Sequence, residues 1–323
     1  MVENGGYTTP CRPPSEQKAA MTSSLSFSPR RRTLLIAGAC APLLAACATA
    51  PGAGAGAARS EAQARLAALE TAAGGRLGVD AIDTGDGRRL GHRADQRFPM
   101  CSTFKAIAAA AILAHGKNVP GWLDQRVRYG KADLVSYSPL TEKHVDAGMT
   151  IGELCAATIQ YSDNAAANLL MKLIGGPDGV TGFARSVGDT VFRLDRWETE
   201  LNTAIPGDPR DTSTPAAMAS LLRRVALDDG LPAAQRDQLQ NWMRGNTTGD
   251  TRIRAGVPAG WAVADKTGTG AYGSSNDIGI VFPPQGAPVV LALYYTQADP
   301  QAKANSEILA AATKVVMAAF GRA

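Results

Sequence analysis

Ser102 and Lys105 stand three residues apart at the head of an apolar run, Phe104 to His115. The run is rich in Ala, Ile and Leu and reads as a buried helix of about three turns. Residues i and i+3 share a helix face, so the hydroxyl and the amine can point into one space. The unpaired N–H groups of a helix N-terminus can receive a developing negative charge. A serine becomes a nucleophile when a base lies beside it, and a desolvated amine can be that base. Alone, Ser-x-x-Lys is a common coincidence and most such lysines are solvated, so the weight rests on what accompanies it.

Three further clusters do. Tyr161-Ser162-Asp163-Asn164 lies between two helical runs. Its plainest reading is an N-cap, and Asp163 can be that and nothing more. Lys266-Thr267-Gly268-Thr269-Gly270 closes a strand pattern, and by itself it could be a strand end with a solvated lysine. The third cluster runs from Arg193 to Asn202, through Glu198, and on through Pro206 and Gly207 to Asp211. It is polar and interrupted by Pro and Gly, as an Ω-type loop is. Its interleaved charges suggest closure by internal ion pairs, with Arg196 and Asp211 as the clasp.

The elements that must position these clusters follow from the pattern of the chain. Ser60-Glu61-Ala62-Gln63 is a capping box before an Ala/Leu-rich helix ending near Gly74-Gly75. Leu77–Asp83 and Arg88–Arg93 read as a hairpin around Thr84-Gly85-Asp86-Gly87. A mostly helical stretch follows. Thr150-Ile151-Gly152-Glu153 is a second capping box, Asn164–Ile174 is stopped by Gly175-Gly176-Pro177, and Thr214-Pro215 opens Ala216–Leu227. Trp261–Lys266, Asp277–Phe282 and Val289–Tyr295 read as strands, and Asp299-Pro300 as the start of a last helix, Ala302–Phe320. Strands at both ends with helices between imply an α+β fold, an α/β-α sandwich. The expectation is an antiparallel sheet of about five strands, flanked by the N- and C-terminal helices, with an all-helical lobe inserted. The sheet lobe would be 59–100 plus 247–323 and the helical lobe 101–246. Ser102 and Lys266 would meet at the lobe boundary, where clefts form.

Composition narrows the function classes. With 323 residues, 45% hydrophobic and 19% charged, the chain is globular. Residues 1–47 hold five of its 33 basic and two of its 29 acidic residues, so the remainder carries a formal charge of only +1. A near-neutral body gives no reason to expect nucleic-acid binding. The three histidines are scattered without metal-ligand spacing, so neither a metal nor another cofactor is expected. Beyond residue 47 only Cys101 and Cys155 remain, which reads as two buried thiols rather than a disulfide framework.

The N-terminal residues 1–47 read as an export signal. Arg30-Arg31-Arg32 precedes a short apolar core ending at Leu44-Ala45-Ala46-Cys47. The arginine pair resembles a twin-arginine signal, with a general secretory signal as the alternative. The end of the core resembles a lipobox, with Cys47 lipidated as the mature N-terminus; ordinary cleavage is the alternative. Met21 would suit the start of such a signal better than Met1. A Gly/Ala linker, 48–58, would join it to the body. The expected location is the bacterial periplasm, anchored to the membrane if Cys47 carries lipid.

In this order, Ser-x-x-Lys, Ser-Asp-Asn, a Glu-bearing loop and Lys-Thr-Gly resemble the motifs of class A serine β-lactamases. The resemblance covers about Ser60 to Phe320 and implies roles residue by residue. Ser102 is acylated by the β-lactam. Lys105 activates it, directly or with Glu198 acting through a water. Glu198, held with Asn202, activates the deacylating water, a general-base role worth about 10²–10⁴-fold. Ser162 relays a proton to the departing nitrogen. Asn164 binds the acylamide side chain, and Lys266, Thr267, Gly268 and Thr269 form the strand that receives the substrate carboxylate. Backbone N–H groups of Ser102 and Thr269 form the oxyanion hole, worth roughly 3–4 kcal/mol per donor lost. Tyr137 matches the aromatic wall at the cleft mouth, and Arg252 the carboxylate-binding arginine of one branch. The lysine pair would also lower each other's pKa by repulsion.

The family resemblance implies hydrolysis of penicillins and cephalosporins by a monomer whose partner is the small-molecule substrate, and with it antibiotic resistance. Two departures bear on this. Thr199 follows Glu198 where many relatives have Pro. Carbapenem-hydrolysing relatives often bridge the cysteine before the nucleophile to one at the position of Gly270, so strong carbapenem hydrolysis is not expected here. A D,D-peptidase would share the serine chemistry but lacks the Glu198 loop. A β-lactam sensor domain would acylate and stop, and an esterase of similar fold is a further alternative.

Overall fold

The computed structural model describes residues 53–322. The expected export signal, 1–47, and the first part of the expected linker, 48–52, lie outside the described residues. In chain order the elements are α1 (Ala53–Ala73), β1 (Arg76–Asp83), β2 (Arg89–His92), β3 (Phe98–Pro99) and α2 (Phe104–His115). The helical block follows with β4 (Arg126–Val127), β5 (Met149–Thr150), α3 (Ile151–Gln160), α4 (Asn164–Leu173) and α5 (Gly176–Ser186). Then come β6 (Thr212–Ser213), α6 (Pro215–Ala226), α7 (Ala233–Arg244) and α8 (Ile253–Gly256). The chain closes with β7 (Ala262–Thr269), β8 (Ser275–Phe282), β9 (Val289–Thr296) and α9 (Ser306–Ala319).

The main sheet has five strands in the order β2-β1-β9-β8-β7, every pair antiparallel. The two ends of the chain meet at its centre, where β1 pairs β9 from Arg76 opposite Thr296 to Asp83 opposite Val289. β9 is buried at every position, and its side chains divide by parity. Val289, Leu291, Leu293 and Tyr295 enter the core beneath α1 and α9. Val290, Ala292 and Tyr294 enter the core shared with the helical block. A strand covered on both faces reads as one apolar run, which is why Val289–Tyr295 carries no polar alternation.

α2 is the axis of the helical block. Phe104 to Leu113 is buried throughout, as a helix apolar on every face must be, and Lys105 is the one charged residue among them. A 3₁₀ turn, Cys101–Thr103, leads into it from the sheet side. Glycine sets how closely the sheet approaches this turn. A Cβ on Gly268 of β7 would meet Met100 O at 2.8 Å and Ser102 N at 3.2 Å. Only a residue without a side chain lets β7 run against the nucleophile's own backbone. Asn276 of β8 ties the same turn down, donating to Pro99 O at 2.8 Å and Met100 O at 3.0 Å.

Four boundaries differ from the sequence expectation. α1 begins at Ala53, inside the expected 48–58 linker, and runs through Ser60 instead of being capped by it. Alanine is the best helix former, and extending an existing helix needs no new nucleus. Gly175-Gly176-Pro177 does not simply stop α4, because α5 starts at Gly176 with Pro177 in its first turn, where a missing N–H costs nothing. α9 begins at Ser306, not after Pro300. Asp299 closes a local turn onto Gln301 N, while Asn305 caps Ile308 N at 3.2 Å and donates its own N–H to Ser275 Oγ. That contact to β8 selects the second of two capping signals. Lys266 lies inside β7 rather than at its end.

Candidate active site

Ser102 projects from the 3₁₀ turn, Lys105 from the first turn of α2, Ser162 from the loop between α3 and α4, Asn164 from the start of α4, and Lys266 from β7. Their side chains converge. Lys105 Nζ lies 3.0 Å from Glu198 Oε1 and donates to Asn164 Oδ1 at 2.5 Å, to Ser162 O at 2.8 Å and to Ser162 Oγ at 3.4 Å. Lys266 Nζ reaches the same Ser162 Oγ at 3.1 Å. Ser102 Oγ donates to Glu198 Oε1 at 3.4 Å. Its hydrogen-bond partner is thus the carboxylate, which Lys105 holds on the same oxygen. Ser162 sits between two ammonium groups in a left-handed conformation, φ 57°.

Glu198 is fixed at both ends. Asn202 Nδ2 donates to Oε2 at 2.5 Å. Asn168, on α4, brackets its backbone: Nδ2 donates to Glu198 O at 2.9 Å, and Oδ1 accepts from Glu198 N at 3.0 Å. The Glu198–Thr199 peptide is cis. The loop closes on itself further out. Asp211, buried, accepts from Asp195 N, Arg196 N and Arg196 Nε at 2.8, 2.9 and 2.6 Å. Arg193 pairs with Asp195, whose carboxylate accepts from Asp211 N at 3.0 Å. The structure therefore brings Arg196 and Asp211 together as an ion pair, to which two backbone N–H groups add.

Burial sets the electrostatics. Lys105 and Lys266 are fully buried, and burial pushes both pKa values down, because an ammonium is less well solvated there. For Lys105 the Glu198 carboxylate works against that shift. For Lys266 the positive Lys105 adds to it, and the pKa falls well below the ordinary range. Behind β7, burial raises the Asp265 carboxyl, which Arg254 and Asn246 hold at 2.7 and 2.5 Å. Asp277 on β8 is raised much further, by burial and then by Asp265. Cys101 is buried and free, its thiol pushed up to about 12 mainly by burial. It is an inert packing group beside the nucleophile.

The remaining expected residues sit around this centre. Thr267 Oγ1 and Thr248 Oγ1 are 2.5 Å apart, and the Thr269 side chain is exposed on the strand end. Arg252 does not stand open in the cleft. Its guanidinium is buried behind β7 and donates to Gly268 O, Asn276 O, Thr269 Oγ1 and Ser306 Oγ at 2.8, 2.6, 2.8 and 3.2 Å. It meets the cleft through Thr269. Tyr137 is 58% exposed, at φ 61°, and its carbonyl accepts from Asn164 N at 3.0 Å. Asp163 does more than cap α4 at Ala166 N. It also accepts from Leu140 N, Thr141 N and Thr141 Oγ1, all at 2.9 Å, and so ties the Tyr137 segment to the Ser162 loop.

Three positions escaped the sequence reading: Asn168, Thr248 and Asn276. Asn168 left a trace, a poor helix former among Ala and Leu on a buried helix face. Among the described residues, no group of three or more His, Cys, Asp or Glu side chains is placed to hold a metal ion. Chemically, the arrangement offers a serine hydroxyl aimed at a carboxylate, two buried amines on a second hydroxyl, and an edge strand, β7, that carries one of those amines.

Comparison with known proteins shows the family. The profile of the beta-lactamase enzyme family matches residues 61–320. The chain is 52% identical to Beta-lactamase AST-1 of Nocardia asteroides, over 93% of this chain and 99% of that protein. It is 53% identical to the carbapenem-hydrolyzing beta-lactamase KPC of Klebsiella oxytoca, over 79% of this chain and 88% of that one. Among solved structures, a beta-lactamase from Desulfarculus baarsii superposes with a TM-score of 0.81 at 56% identity, covering 82% of this chain and 99% of that chain.

Proposed function

This chain belongs to the beta-lactamase enzyme family, and from that premise we infer that it hydrolyses the β-lactam amide through an acyl-enzyme on Ser102, the consequence being resistance to β-lactam antibiotics. The observation that carries the mechanism is the shared oxygen Glu198 Oε1, which accepts from Ser102 Oγ at 3.4 Å and from Lys105 Nζ at 3.0 Å. As Ser102 Oγ bonds to the lactam carbonyl carbon, its proton passes to Glu198, while the charge of Lys105 holds the carboxylate in place; with Glu198 removed or displaced, Lys105, whose pKa burial lowers, takes that proton instead. The carbonyl oxygen takes the negative charge, facing the backbone N–H groups of Ser102 and Thr269. When the carbon–nitrogen bond breaks, the nitrogen receives a proton from Ser162 Oγ, which Lys105 resupplies; Lys105 in turn takes back the proton that Glu198 received from Ser102, across their 3.0 Å contact, so that Glu198 is again a carboxylate.

Deacylation uses the same carboxylate. A water on Glu198 loses its proton to the carboxylate and attacks the ester carbon. The carbon–Oγ bond breaks, and the proton returns to Ser102. Asn168 and Asn202 keep Glu198 aligned for that step. Lys266, Thr267 and Thr269 receive the substrate carboxylate, with Gly268 keeping the strand close, while Asn164 binds the acylamide group and Tyr137 walls the cleft mouth. Arg252 acts by orienting Thr269. Nitrocefin hydrolysis by the wild type, abolished in Ser102→Ala, tests the reading; equal turnover by that variant would refute it.

On spectrum, we propose penicillins and cephalosporins as preferred substrates and weak action on carbapenems. Support comes from Gly270, which stands beside Cys101 where a bridge would need a second cysteine, leaving Cys101 a free thiol. Carbapenem turnover equal to penicillin turnover would overturn this ordering. We further propose that the enzyme acts as a monomer in the periplasm, and that residues 1–47 direct its export with Cys47 lipidated. A Cys47→Ser precursor that matures like the wild type would refute the lipid anchor.

A further inference from the structure

A cavity of about 530 Å³ lies on the Ω-type loop away from Glu198, and Ser102 is not among its lining residues. One wall is the second half of that loop, Ala204 to Pro209. The facing wall is the start of β1 with Arg76, and Arg97 just before β3; Thr296 to Ala298, at the end of β9, also line it. Its volume falls within the range of small-molecule sites. Its lining combines apolar groups from Pro99, Ile205 and Pro206 with these two guanidinium groups. Ile205 is 47% exposed and offers the cavity an apolar surface.

The arginines are the informative part. Arg76 donates to Gln96 Oε1 at 3.0 Å and lies 4.5 Å from the centre of the Phe98 ring. Arg97 donates to Val191 O and Thr212 Oγ1, both at 3.0 Å. Neither forms an ion pair with a carboxylate among the described residues, whereas the other charges nearby are matched. Asp208, the one carboxylate lining the cavity, is chelated by Arg210 through Nε and Nη2 at 3.1 and 2.7 Å. Glu70 is taken by Arg93 and His92. The neighbouring positive groups make the deficit worse. After burial, Arg93 lowers Arg76 ahead of the opposing Glu70, and Arg193 and Arg185 lower Arg97 ahead of the opposing Asp189 and Asp195.

We propose that this cavity is a second, non-catalytic site for a small organic carboxylate, the anion on Arg76 and Arg97 and its apolar body against Ile205 and Pro206. Such a ligand bridges the sheet lobe and the loop that carries Glu198, so its occupancy restrains that loop. A guanidinium pair suits a carboxylate because charge-assisted hydrogen bonds are the strong ones.

Benzoate is the probe, with benzamide as its neutral isostere, titrated into the ¹⁵N-labelled protein. Benzoate is expected to move the amide signals of Gly74, Gly75, Gly207 and Ala298 saturably, and benzamide is not. Arg76→Gln with Arg97→Gln is expected to weaken the benzoate response about tenfold or more, the scale of losing charge-assisted contacts. If that double variant loses its dispersed spectrum, Ala298→Trp, which fills the cavity from the end of β9, serves instead and must abolish the response. No saturable shift at these amides, equal shifts with benzamide, shifts confined to Ser102, Lys266 and Thr269, or an undiminished response in the folded variant would each overturn the proposal.

Discussion

Asn168 offers the sharpest test of how the loop is held. It is buried on α4, touches neither Ser102 nor Lys105 through any hydrogen bond, and makes two bonds to the backbone of Glu198, at 2.9 and 3.0 Å. Asn168→Ala removes both at once. It leaves a buried N–H and a buried C=O without partners, each costing about 1–3 kcal/mol when no water replaces the lost group. The space vacated by the amide is large enough for some relief, so the expected loss is about 2–4 kcal/mol. For a body of this size that is a fall in Tm of roughly 5–15 °C. Catalysis should fail at one step more than the other. Glu198 would drift while Ser102 keeps its place on the 3₁₀ turn, and a misplacement on the scale of 1 Å costs about a hundredfold. Stopped-flow hydrolysis with rapid-quench mass spectrometry separates the steps: deacylation, which has Glu198 as its only base, should slow more than acylation, for which Lys105 can substitute, and acyl-enzyme should accumulate. If Tm and deacylation are both unchanged, Asn168 does not position the loop and the reasoning fails.

Asp211→Ala should destabilise by about 2–4 kcal/mol, since it strands two backbone N–H groups and Arg196, whose 18% exposed side chain lets water recover part of the loss. Urea denaturation measures it, and hydrogen exchange across 195–211 should quicken well before global unfolding. Asp277 gives a pH signature. Its folded pKa lies well above the unfolded value of about 3.9, so its favourable protonated form is fully present below that value and is lost as pH rises through the folded pKa. Stability should therefore decline as pH rises above about 4, and Asp277→Asn, neutral throughout, should flatten that decline in a Tm-against-pH series. An unchanged slope would mean that the carboxyl is ionised and compensated in the fold.

The sheet and the helical block were legible because their signals are local or periodic. Leu77–Asp83 and Val289–Tyr295 carry strand runs, and Phe104–His115 is apolar on every helix face. The motif residues were legible from type and order, and Ser102, Lys105, Ser162, Asn164, Glu198 and Lys266 do come together in space. What was not legible depends on contacts between distant segments. The start of α9 hangs on Asn305 reaching Ser275, thirty residues away. Arg252 reads as an open cation in the sequence, yet the carbonyls of β7 and β8 take it out of solvent. Asn168 and Asn276 act on backbone groups thirty and more than a hundred residues distant, and nothing in their own neighbourhood marks the target. The start of α1 is hidden for the opposite reason: its glycines read as a linker, while the alanines between them carry the helix.

The central claim is that Glu198 makes this serine enzyme a hydrolase rather than a covalent trap. Intact-protein mass spectrometry of Glu198→Ala mixed with benzylpenicillin tests it most directly. The expected result is one equivalent of ring-opened penicillin retained on Ser102 long after the wild type, mixed in the same way, has returned to its free mass. A variant that turns over penicillin like the wild type, with no adduct at any time, would contradict it.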